Sequence, residues 1–121
     1  MAVGTFSMGM TGTERLIVNA VANDAKQIFG ESKIEQFITD RTVAILAPNL
    51  MGNLCDWPRI RKIADKYNLI VIEDSADTLG ATINGKKSGS YSDMSITSFY
   101  GSHIINCAGN GGALLLNYKR V

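Results

Sequence analysis

Two apolar runs in this 121-residue chain end in residues able to do chemistry. Leu69-Ile70-Val71-Ile72 runs into Glu73-Asp74-Ser75-Ala76-Asp77, and Ile96–Phe99 runs into Tyr100-Gly101-Ser102-His103. A carboxylate at the mouth of an apolar run, as Asp74 is, starts out partly buried, and burial disfavours its charge unless a cation faces it. A protonated pyridine nitrogen is one such cation. The alternative is that Asp74 or Ser75 caps a following helix, and spacing alone favours the cap. His103 is the only histidine. Imidazole titrates near neutrality and serves as general acid or base, although a lone loop histidine more often has no task. Ser98 offers a hydroxyl to a phosphate, or one that the strand backbone satisfies. Gly109-Asn110-Gly111-Gly112 permits positive φ or close backbone approach, and matches neither a dinucleotide fingerprint nor a P-loop. Cys55 and Cys107 have no second pair nearby and read as structural thiols; Trp57 reads as an anchor at a helix start.

These residues need a frame. Ser32-Lys33-Ile34-Glu35 has the form of a capping box, and Ile34, Phe37 and Ile38 then share one face of a short helix. Thr42–Ala47 is a β-branched apolar run bounded by Pro48-Asn49, which predicts a buried strand. Asp56 is a good N-cap and Pro58 fits a first turn. Ile60, Ile63, Ala64 and Tyr67 line one helical face, and Arg59, Arg61, Lys62 and Asp65 the opposite one. Asn68 ends that helix, and Leu69–Ile72 starts a second strand. This is a βαβ unit with a right-handed crossover. Asn84-Gly85 predicts a type I′ hairpin between Ala81–Ile83 and Lys86–Ser88. Ser95–Tyr100 and Gly112–Asn117 complete four core strands. Residues 1–31 are poorly assigned: Met1–Gly12 shows no period, and Glu14–Phe29 reads as a helix with Leu16, Ala20 and Ala25 on one side. The fold class is therefore α/β, a mostly parallel sheet flanked by helices, with residues 32–121 as a partial domain. Ligands of open α/β sheets bind beyond the carboxyl ends of the strands, where Asp74 and His103 open on one rim.

Composition narrows the function. At 45% apolar and 19% charged residues the chain is not of the disordered class. Twelve basic and eleven acidic residues leave a net charge of +1, which offers no basic face to nucleic acid and no polybasic membrane anchor. The longest clean apolar runs, such as Leu69–Ile72 and Ala113–Leu116, fall far short of the ~20 residues of a membrane span. No cationic stretch followed by a long apolar one marks a secretory signal. Two cysteines are too few for a disulfide framework or a four-ligand zinc site, so no metal is expected and a reducing, cytoplasmic setting is. A parallel sheet needs helices on both faces, which is much to ask of a chain this small. With its end straight after an apolar strand, the chain is expected to be a piece of something larger.

The string Val71-Ile72-Glu73-Asp74-Ser75-Ala76-Asp77, followed by Gly80-Ala81, Gly85, Gly89, Asp93, Ser98-Phe99-Tyr100 and Gly111-Gly112, resembles the DegT/StrS family of pyridoxal-phosphate (PLP)-dependent sugar aminotransferases. The resemblance covers about Ser32 to Val121. It implies the large domain of a fold type I PLP enzyme, with Asp74 pairing the cofactor's pyridine nitrogen, Asp77 near its ring hydroxyl and Ser98 on its phosphate. Five residues after that serine most members carry the lysine that holds PLP covalently; here the residue is His103. A histidine-bearing branch of the family, the 3-dehydratases of nucleotide-linked 4-keto-6-deoxyhexoses, uses pyridoxamine phosphate (PMP). Resemblance to that branch implies that His103 is the catalytic base that moves a proton at the methylene carbon of PMP while the C3 hydroxyl of the sugar leaves. Gly52-Asn53-Leu54-Cys55-Asp56 and Ala64-Asp65-Lys66-Tyr67-Asn68-Leu69 are most similar to the members that act on CDP-sugars. The leading expectation is thus a 3-dehydratase, completed by a second subunit as a homo-oligomer. The alternatives are a sugar aminotransferase that has lost its lysine, and a non-catalytic, self-associating α/β fragment. Three departures stand against a full carry-over. Ile104 stands where that branch often has a second histidine, Met1–Phe29 lacks the family's phosphate-cupping Gly-Ser/Thr stretch, and these 121 residues are expected not to include the family's C-terminal domain. The iron–sulfur cysteines of the CDP-sugar members lie in a region downstream of Val121, so the resemblance neither implies nor excludes a cluster.

Overall fold

The computed structural model describes residues 4–8, 15–19 and 32–118. In chain order the elements are β1 (Gly4–Met8), β2 (Arg15–Asn19), α1 (Ser32–Glu35), β3 (Thr42–Pro48), α2 (Trp57–Tyr67), β4 (Ile70–Asp74), β5 (Thr82–Ile83), β6 (Lys86–Lys87), β7 (Met94–Ser98) and β8 (Gly112–Leu116), with a 3-10 turn at Leu50–Gly52. Six strands form one sheet in the order β1-β2-β3-β4-β7-β8, and β5 pairs with β6 apart from it. The β2–β3, β3–β4 and β4–β7 pairs are parallel. The pairs at the two sides, β1–β2 and β7–β8, are antiparallel. The expected mostly parallel α/β sheet is what forms.

The clearest helix, α2, begins where the sequence says. Asp56 Oδ1 accepts from Arg59 N–H at 3.4 Å, and Asn68 closes the helix in the left-handed region at φ 54°, its N–H reaching the Ala64 and Asp65 carbonyls. Asparagine tolerates that conformation better than most residues. Trp57, Ile60, Ile63 and Ala64 pack on Ile45, Ala47 and Val71 of β3 and β4. Each large apolar side chain buried this way contributes about 1.5–3 kcal/mol. The hairpin also forms as expected, with Asn84 at φ 51° and Gly85 at φ 73°, the two positive values a type I′ turn needs.

Two expectations fail and a third holds only in part, each for a reason outside local sequence. Within the stretch read as a helix over Glu14–Phe29, Arg15–Asn19 is a strand, and the rest of that stretch lies outside the described residues. Ladders to β1 on one side and β3 on the other outweigh the weak helical period of Leu16, Ala20 and Ala25. The short helix expected at Ser32 forms as a single turn with Ile34 and Ile38 packed on the core, while Glu35 reaches α2 and accepts from Lys66 Nζ at 3.0 Å and Tyr67 Oη at 2.9 Å. Those two hydrogen bonds hold the Glu35 carboxyl below the usual carboxylate range, and Glu35 raises Lys66 in return. Arg61, assigned to the polar face, is buried. Its guanidinium donates to Asp93 Oδ2 at 2.8 Å and to the Leu69 carbonyl at 3.3 Å, and it also meets Asp65 at 2.8 Å. A buried charge persists only when paired, and Asp93, just ahead of β7, is the partner that the helix pattern does not reveal.

Register separates two faces of the sheet. Ile45, Ala47, Val71 and Glu73 lie on one, beneath α2, and Ile34, Ile38, Ile83 and Tyr91 from the other connections pack on the same cluster. Leu46, Ile70, Ile72, Met94, Ile96, Leu114 and Leu116 lie on the other. That second face is exposed at Ile70, Ile96 and Leu114, the last at 60%. Strand order explains the asymmetry. Each step across the sheet follows the chain, and right-handed crossovers that all step one way fall on one face. At the β7–β8 pair the glycine run does permit close approach: a Cβ on Gly112 would lie 2.9 Å from the Thr97 carbonyl oxygen.

Candidate functional site

Because β3, β4 and β7 are parallel, their last residues Pro48, Asp74 and Ser98 share one rim. Asp74 is in register with Ile96, so Ser98 lies two residues further along the adjacent strand and on the same face. From strand geometry their Cα atoms are roughly 8 Å apart. No helix follows β4, so neither Asp74 nor Ser75 is a cap. Asp74 Oδ1 instead accepts from Ala76 N–H at 3.1 Å, an Asx turn, and among the described residues this is the one hydrogen bond of its carboxylate. Ser98 Oγ accepts from Tyr100 N–H at 3.2 Å, which leaves its own hydrogen to donate.

His103 ends a turn in which its N–H donates to the Tyr100 carbonyl at 2.9 Å. Its ring meets Tyr100 edge to face, centroids 6.4 Å apart. Nδ1 lies 3.2 Å from Asp77 Oδ1. The other oxygen of Asp77 accepts from Met51 N–H at 3.0 Å. One carboxylate thus ties together the loops after β3, β4 and β7. The rim brings Asp77 and His103 into contact and sets Asp74 and Ser98 at adjacent strand ends.

Below the rim lies a group that the sequence reading passes over. Glu73 is fully buried on the α2 face. Its Oε1 accepts from Asn49 Nδ2 (2.9 Å), Ser75 Oγ (2.8 Å) and Ser88 Oγ (2.8 Å), and its Oε2 from Gly89 N–H (2.8 Å) and Ser92 Oγ (3.5 Å). Asn49, fully buried as well, uses Oδ1 to accept from Cys55 N–H (3.0 Å) and Trp57 Nε1–H (2.9 Å). Trp57 is an anchor at the helix start, as read, and Asn49 is what it is anchored to. The available signal was strand parity: Val71 and Glu73 alternate onto the same inward face, so an acid there needs several donors. Cys55 is buried and Cys107 exposed.

Comparison with known proteins follows the same lines. Residues 16–121 match the DegT/DnrJ/EryC1/StrS aminotransferase family. The dTDP-3-amino-3,6-dideoxy-alpha-D-galactopyranose transaminase of Aneurinibacillus thermoaerophilus is 48% identical over 85 residues, 70% of this chain and 22% of that protein. The GDP-4-keto-6-deoxy-D-mannose 3-dehydratase of Yersinia pseudotuberculosis is 40% identical over 78 residues, 64% of this chain and 20% of that protein. Among solved structures, NtdA of Bacillus subtilis with bound cofactor PMP is similar at a TM-score of 0.65 and 36% identity, over 72% of this chain and 19% of that one. The chain spans about a fifth of the length of these relatives. With motif order, sheet and rim in agreement, this chain belongs to the DegT/DnrJ/EryC1/StrS aminotransferase family of PLP- and PMP-dependent proteins.

Proposed function

We propose that the whole protein transfers an amino group to a nucleotide-linked keto sugar, using PMP and PLP. The observation that carries this is the rim itself, which gathers a carboxylate, a hydroxyl and an imidazole at the ends of adjacent strands in a chain 48% identical to a sugar transaminase. The residues present fit the cofactor. Asp74 keeps acceptor capacity for a protonated ring nitrogen, and Ser98 keeps a hydroxyl hydrogen for a phosphate oxygen. When bound, the cofactor supplies an electron-accepting pyridinium ring. Asp74 would hold the proton on the ring nitrogen, Ser98 would fix the phosphate end, and His103 would move protons at the reacting carbon. The substrate is taken to be a nucleotide-linked 4-keto-6-deoxy sugar, and the working form a homo-oligomer in the cytoplasm.

One observation favours a second reading. His103 stands where the resemblance puts the family's lysine, and a 3-dehydratase is 40% identical over much of the chain. The higher identity of the transaminase supports amino transfer over the dehydration that His103 alone leads one to expect. The product decides between them. The whole protein is incubated with PMP, an amino-acid donor and a 4-keto-6-deoxy sugar nucleotide, and the sugar is examined by mass spectrometry. Replacement of the carbonyl oxygen by an amine supports the first reading. Loss of the C3 hydroxyl without amination supports the second, and an unchanged sugar overturns both.

A further inference from the structure

We infer that Asp77 is a positioning residue that fixes the tautomer of His103, with Nδ1–H donating to Asp77 and Nε2 left as the ring's basic nitrogen. The inference rests on the reading of His103 as the proton-moving group and adds what prepares it for that task. A neutral imidazole carries one proton on two unlike nitrogens, and the hydrogen bond made by one decides which nitrogen is basic. A carboxylate is acceptor only. At 3.2 Å from Asp77 Oδ1, Nδ1 must therefore be the protonated nitrogen, and the lone pair falls to Nε2.

The rest of the rim keeps Asp77 in place for this. Its second oxygen is engaged by Met51 N–H at 3.0 Å. Met51 holds a left-handed conformation, φ 54° and ψ 36°, which is strained for a residue with a side chain. Its own side chain does not account for this, being 84% exposed. What the conformation accompanies is the hydrogen bond to Asp77. The Tyr100 ring, edge-on to the imidazole, limits the ring from a further side. With each oxygen engaged by the protein, Asp77 is held against the imidazole and still keeps acceptor capacity for the cofactor's ring hydroxyl that the resemblance implies.

The chain's single histidine makes the tautomer directly readable. A long-range 1H–15N spectrum of the uniformly labelled 121-residue chain, recorded well above the imidazole's titration, shows one imidazole. The expected pattern is Nδ1–H with Nε2 unprotonated, reverting in Asp77→Ala to the Nε2–H form that unconstrained histidine favours. An Nε2–H form in the unsubstituted chain, free-histidine behaviour, or a tautomer unmoved by Asp77→Ala overturns the inference. In the whole protein, Asp77→Ala is expected to lower kcat by roughly 10²-fold or more with KM for the sugar little changed. A loss confined to KM overturns it. The tautomer is read without cofactor or substrate, so the two readings fail separately. An Nδ1–H tautomer in an enzyme indifferent to His103→Gln would sink the reading of His103 and leave the tautomer standing.

Discussion

Replacing Glu73 by glutamine changes almost nothing in shape, yet the structure assigns it a definite cost. The carboxyl accepts from five donors, and these differ in freedom. The three serine hydroxyls can rotate and become acceptors. Gly89 N–H on the Oε2 side cannot. Asn49 Nδ2 on the Oε1 side cannot either, because flipping its amide would turn the NH2 toward Cys55 N–H and Trp57 Nε1–H. One immovable donor therefore sits at each oxygen, and whichever way the glutamine amide points, its NH2 faces one of them. A buried donor left without an acceptor costs about 1–3 kcal/mol. Against a total stability of roughly 5–15 kcal/mol, Glu73→Gln leaves a folded protein. Glu73→Ala orphans both donors and costs about twice as much. Urea unfolding of the 121-residue chain measures this through Trp57, its only tryptophan, fully buried and part of the same network. With m near 1–3 kcal/mol/M, the midpoint should fall by roughly 0.5–2 M. In an Asn49→Ala background the amide can point its NH2 to the vacated side, so the same substitution should cost less, by about 1 kcal/mol. A midpoint unmoved by Glu73→Gln, or an equal loss in both backgrounds, would refute the claim that fixed donors surround the carboxyl.

Four further outcomes are expected. Arg61→Ala leaves Asp93 buried and uncompensated and should cost about 3–5 kcal/mol in urea unfolding, whereas Lys62→Ala next to it should stay within about 0.5 kcal/mol. Gly112→Ala forces a methyl group against the Thr97 carbonyl and should lower thermal stability by about 1–3 kcal/mol. Met51→Gly relieves the left-handed strain while keeping the N–H on Asp77, so it should stabilise by about 1 kcal/mol without altering the His103 tautomer. The Glu35 carboxyl, held low by Lys66 and Tyr67, should move up toward its ordinary range in Lys66→Ala, as followed by carboxyl NMR. Since its folded-state pKa is the depressed one, the stability it contributes is present above the ordinary glutamate pKa and is lost as pH falls through the folded value.

What was legible in the sequence was chemistry that completes itself within a few residues. Asp56 and Asn68 bound α2, and Asn84-Gly85 turns the hairpin, each through its own dihedral angles or a donor three residues away. Asp74, Asp77, Ser98 and His103 could be picked out because they follow apolar runs or match a family's motif order. The contact between Asp77 and His103 could not, since 26 residues separate them and only the parallel pairing of β4 with β7 brings their loops together. The same holds for Arg61 with Asp93, 32 residues apart, and for Asn49 with Glu73, 24 apart. Strand β2 was misread because its stability lies in the ladders on either side of it rather than in its own five residues.

The sheet's strand order, which runs with the chain from β1 to β8, has a consequence for how the protein acquires its structure. Among the described residues every strand of this sheet pairs with the one that precedes it, so within this segment none must wait for a later strand before it can pair. Contacts that close short loops form early, because loop-closure entropy grows with length. During synthesis this part of the sheet can therefore grow from one side, a strand at a time as the chain emerges, with Gly112 allowing β8 to close on β7.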